Sequence, residues 1–142
     1  MQRKTALFIL LLPQICVSLL GQDSAGKTQL FVSCSCDDQL GAKYATALRD
    51  IVAKSPRYEE TRNEGDDKSG YPFKISLVSI DTSTSPGEQI AISEVTSFNS
   101  ILFDQNVQVC SAQSVFNCAQ TTFSQVDKSI DELKKALSKT PK

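Results

Sequence analysis

No histidine occurs among the 142 residues. That absence excludes Ser-His-Asp and Cys-His nucleophile activation, histidine general-base chemistry and every histidine-containing metal site. A basic excess is lacking too, since 15 lysines and arginines stand against 16 acidic residues. Such a balance gives no electrostatic reason to bind nucleic acid. No internal repeat is visible and no second domain is indicated. The longest uncharged apolar run, Thr5 to Leu20, is about 16 residues and is interrupted by Pro13, short of the roughly 20 that a membrane-spanning helix needs.

What that run resembles is a secretory signal. Arg3 and Lys4 form a basic start, the apolar stretch follows, and Gly21 leads into a polar segment. The expected organisation is a signal peptide over 1–21, a polar lead over 22–28, one domain over 29–138 and a loose C-terminus over 139–142. Contact with a membrane is expected only through an uncleaved signal segment. Cleavage removes Arg3 and Lys4 and leaves the exported chain slightly acidic. Five lysines, Lys128, Lys134, Lys135, Lys139 and Lys142, collect near the end, where they suit the negative end of a helix dipole or form a docking surface.

"QLFVSC" (Gln29 to Cys34) is apolar and β-branched enough for a first strand. Asp37 or Asp38 can cap the helix that follows, and Leu40, Tyr44, Ala47, Leu48, Ile51 and Val52 recur on one helical face. Pro56 stops that helix. "RYEET" reads as a short strand and "RNEGDDKSGYP" as an exposed loop. "FKISLVSID" (Phe73 to Asp81) alternates at first, then is apolar on both faces at Val78 and Ile80, as expected of a strand passing under a helix. "TSTSPGE" is a loop, "QIAISEVTSF" a returning strand, and "VQVCS" (Val107 to Ser111) a short further strand. Ala119, Phe123, Val126, Ile130, Leu133 and Leu137 then step by four and three along a second amphipathic helix ending near Ser138. The order β-α-β-β-β-β-α predicts an α+β fold. Its form is a two-layer sandwich, with two amphipathic helices on one face of a mostly antiparallel sheet.

Gly21 to Thr28 satisfies the phosphate-loop pattern G-x-x-x-x-G-K-[ST]. That chemistry requires a strand before the loop and a helix after it. Here a signal segment precedes and a strand follows, so the match is read as accidental. The acidic pairs Asp37-Asp38, Glu59-Glu60 and Asp66-Asp67 are adjacent in sequence, and neighbouring side chains on extended chain diverge. They make poor acid–base partners, and no catalytic residue is assigned. "NEGDDKSG" offers oxygens for calcium without the spacing of a calcium loop.

Four cysteines follow the signal segment: Cys34, Cys36, Cys110 and Cys118. In an exported chain an even number points first to disulfides. Cys110 and Cys118 bracket a short loop and are the expected pair, worth roughly 2.6 kcal/mol in the chain-entropy picture. Cys34 and Cys36 would point to the same face of a strand, and an internal bridge between them needs a local turn. Cross-links to Cys110 or Cys118, and a pair of reduced thiols, stay open. Four-cysteine zinc lacks a recognisable spacing. Redox use of Cys34 and Cys36 is helped by the helix start that follows and opposed by the charge of Asp37 and Asp38. No metal or cofactor is assigned.

The strand at Gln29 to Cys34, the helix "QLGAKYATALRDIVAKSPRYEE" and the strand "FKISLVSIDTS" together resemble a module of bacterial envelope proteins. It occurs at the amino-terminus of the periplasmic Tol-system propeller protein and in small lipoprotein activators of cell-wall synthases. The resemblance covers about half the chain and carries no catalytic or ligand motif. It implies a small exported, non-catalytic binding or accessory protein, periplasmic or secreted, whose partner is another envelope protein or a cell-wall component. A thiol-redox or metal-binding protein using Cys34 and Cys36 is the first alternative, and a carboxylate-dependent hydrolase the second.

Overall fold

The structure, a computed structural model, describes residues 26–61 and 73–139. Residues 1–25, which contain the signal segment, the whole loop 62–72 with Asp66-Asp67, and residues 140–142 lie outside the described residues. Seven elements follow one another: β1 (Thr28–Cys36), α1 (Gln39–Lys54), β2 (Tyr58–Thr61), β3 (Phe73–Asp81), β4 (Gln89–Phe98), β5 (Ile101–Ser111) and α2 (Val115–Ser138). They form the expected α+β arrangement in the expected order. The sheet order is β2-β1-β3-β4-β5. β1 runs parallel to β2 and β3, whereas the longer β3–β4 and β4–β5 pairings are antiparallel.

Period-two alternation sorts the strands into two faces. Leu30, Val32, Phe73, Ile75, Leu77, Ile90 and Ile92 point inward and are buried. Over them lie both helices, α1 through Leu40, Tyr44, Ala45, Leu48 and Val52, and α2 through Ala119, Val126 and Ile130. α1 begins where Asp38 accepts a hydrogen bond from the Gly41 amide, satisfying one of the orphan donors of the first turn. It ends at Lys54, ahead of Pro56. α2 is tied to the far edge of the sheet by Arg57, whose guanidinium reaches Asp127 at 2.7 Å and also contacts Asp131. Tyr58 Oη donates to the other oxygen of Asp127 at 2.6 Å.

Three expectations need correction. β5 is not the short strand Val107 to Ser111 but starts at Ile101, directly after a two-residue turn. Asn99 (φ 49°) and Ser100 (φ 64°) both occupy left-handed geometry, the conformation that lets a tight hairpin follow the right-handed twist of its strands. α2 starts at Val115, one turn before Ala119, so Cys118 lies within the helix. Finally, Val78 and Ile80 do not pass under a helix. Both helices lie on the opposite face, and the two side chains are 49% and 65% exposed.

Candidate functional site

The sequence-flagged cysteines fall in two separate places. Cys34 and Cys36, at the end of β1, share a side of the strand, with sulfurs in contact and Cα atoms 5.3 Å apart. Cys110, fully buried near the end of β5, faces Cys118 in the first turn of α2, with Cα atoms 6.4 Å apart. β3 and β4 stand between β1 and β5, so the four sulfurs do not converge. Among the described residues no cluster of three or more histidine, cysteine or acidic side chains is poised to hold a metal.

Three of the carboxylates have structural roles. Asp38 caps α1 and also accepts from the Ser79 hydroxyl. Glu60 lies 3.9 Å from Arg49, whose guanidinium also donates to the Val32 carbonyl at 3.1 and 3.3 Å. Asp81 accepts from the hydroxyl and the amide of Ser83 and from the amide of Gly87, which shapes the β3–β4 loop, and these bonds, the hydroxyl's foremost, hold its pKa below the usual value. Of the phosphate-loop match, Lys27 donates to the Ser55 carbonyl and Thr28 opens a strand rather than a helix. The calcium-like stretch Asn63 to Gly70 lies outside the described residues.

A polar chain inside the core went unnoticed in the sequence. Gln108 Nε2 donates to Tyr44 Oη at 2.7 Å and to Thr122 Oγ1 at 2.6 Å, and Tyr44 donates to Thr122 at 2.6 Å. Next to this chain lies Glu94, which accepts from Thr96 at 3.1 Å. Glu94 is 3% exposed and its Oε2 has no partner, so burial pushes its pKa up to about 7. Tyr44 is likewise raised, to about 12, chiefly by burial. The signal was legible: Glu94 and Thr96 share the parity of Ile90 and Ile92 in "QIAISEVTSF".

Among the described residues one face of the sheet carries no helix. The strand register puts Val78, Ser93 and Val107 in one row and Ile80, Ala91 and Val109 in the next. Larger side chains on β3 and β5 thus flank small ones on β4, which makes a shallow apolar trough. Val107 and Val109 are 70% and 58% exposed. On β3, β4 and β5 the only charge on this face is Lys74, whose ammonium lies 5.8 Å from the Phe31 ring centre. At one side the trough reaches β5, the edge of the sheet. Along that edge a groove of about 260 Å³ lies between β5 and α2, lined by Asp104, Gln105, Asn106, Gln125, Lys128, Ser129 and Glu132.

No protein-family model matches the chain, and no curated protein matches it. Among solved structures it is similar to TolB from Acinetobacter baumannii, with a TM-score of 0.57 at 6% identity. The match covers 74% of this chain and 28% of that one, so the chain corresponds to just over a quarter of that protein's length. The resemblance to the Tol-system envelope module, read first from the order of strand, helix and strand, therefore holds as a likeness of fold.

Proposed function

We propose that this is a small exported, non-catalytic accessory protein of the bacterial cell envelope, periplasmic or secreted, that works by binding another envelope protein. The observation that carries the reading is the sheet face that the described residues leave uncovered, where Val78, Ile80, Val107 and Val109 stand open in two adjoining rows. An exposed apolar patch of this kind is what protein contacts use, and water penalises leaving it bare. The fold likeness to a periplasmic protein supports the location. The engagement of Asp38, Glu60 and Asp81 in capping, pairing and loop contacts supports a binding role over hydrolysis.

The test is capture from envelope extract with the purified protein as bait, beside a Val78→Lys, Ile80→Lys variant. Both side chains are exposed, so the variant should fold as the parent does, by circular dichroism, and lose the captured partner. A partner retained at full yield by the variant would remove the sheet face from the reading. No specific partner for the parent protein would sink the reading itself.

A further inference from the structure

β5 ends the sheet on one side, and among the described residues nothing pairs with its outer edge. The amide of Ala112 donates to the Glu88 carbonyl, which fixes the phase of the β4–β5 ladder. Hydrogen-bonded pairs then alternate along β5. Asn106, Gln108 and Cys110 direct their amides and carbonyls to β4, while Gln105, Val107, Val109 and Ser111 direct theirs outward. The register shift between Thr96 and Ser97 ends the regular ladder at Asp104, leaving a straight run from Gln105 to Ser111. Proteins usually blunt such an edge with lysine, proline or an inward charge, and this run has none.

The run is also complementary to itself. Turned end for end about Gln108, it sets Val107 against Val109 and Gln105 against Ser111, apolar against apolar and polar against polar. Outward backbone groups then meet outward backbone groups, as an antiparallel ladder requires. The one charge on β5, Asp104, falls outside the paired run and is held by Ser129. The turn of a second copy, Ala112 to Ser114, would lie opposite Asp104 and bring the start of α2 toward the groove. That start carries no acidic residue in its first turn and no side-chain cap. Its positive dipole end would meet a rim of Asp104 and Glu132 against the single Lys128.

We infer that two copies of this chain join through β5 in an antiparallel, two-fold pairing centred on Gln108, making one continuous ten-stranded sheet. The β5 edge is thus assigned a second copy as its occupant, because its polarity and charge are matched by its own sequence read in reverse. The pairing leaves Val78 and Ile80 uncovered and does not depend on the envelope-binding reading. The two open faces become one.

Sedimentation equilibrium of the purified protein should give twice the monomer mass. Val107→Lys with Val109→Lys puts like charges opposite each other across the two-fold axis and should raise the dimer dissociation constant about tenfold or more. Val107→Lys with Val109→Glu restores opposite charges only in this register and should recover the dimer. Both positions are exposed, so each variant should keep the parent's circular dichroism. A monomeric parent overturns the inference, as does a dimer indifferent to the paired lysines or one that the Lys/Glu combination fails to restore. Capture of an envelope partner is read separately through Val78 and Ile80, so either result can fail alone.

Discussion

Gly41 lets α1 pack tightly against Ser79 of β3. A β-carbon built there would lie 2.6 Å from Ser79 Cβ and 2.9 Å from Asp38 Oδ2. Alanine would ordinarily favour the helix by about 1 kcal/mol. Here overpacking against Ser79 should outweigh that gain, because Ser79 sits on β3 and cannot withdraw without moving the strand. Gly41→Ala is therefore expected to lower stability by about 1–3 kcal/mol in urea unfolding. Adding Ser79→Gly should recover part of the loss, and no recovery would place the strain elsewhere. The sequence predicts a cap at Asp37 or Asp38, and Asp38 supplies it. Why the next turn must hold a glycine was hidden, since Ser79 is 38 residues further along the chain.

At the scale of elements, the helices were the most legible part. Their 3.6-residue stripes located both helices and Pro56 marked where α1 stops, because a helix is determined by neighbours in sequence. The strands were harder. β5 was half missed because its turn, Asn99-Ser100, lacks the Asn-Gly signature of a two-residue hairpin. The same geometry predicts that Ser100→Gly should stabilise the protein by up to about 1 kcal/mol, glycine being free of the left-handed penalty that serine bears. Chemical denaturation should show the gain as a higher midpoint with an unchanged slope; a lower midpoint would refute it. Val78 and Ile80 misled for another reason. Apolar residues on both sides of a strand report that both faces want cover, not that this chain provides it.

Taken whole, the molecule keeps an ionisable group in its core. Glu94 has a pKa near 7 in the fold against an ordinary value of 4.5, with Tyr44 and Asp104 as its facing titratable neighbours. The unfolded chain therefore gives up this proton first as pH rises. Stability should be unaffected by Glu94 below pH 4.5, fall between 4.5 and about 7, and level off above, a total of roughly 3 kcal/mol. Unfolding midpoints followed from about pH 5 to about pH 8 should decline, and Glu94→Gln should flatten that decline; an unaltered slope in the variant would assign it to other groups. The two edges of the sheet differ in a way that also matters at this scale. β2 is four residues long and bears Glu59 and Glu60, and beyond it Arg49 occupies the Val32 carbonyl, so this side offers little to a newcomer. A sheet with one receptive margin can add one neighbour and then stop, because the joined product exposes only guarded margins. Growth into a fibre requires two receptive margins, and the described residues offer one.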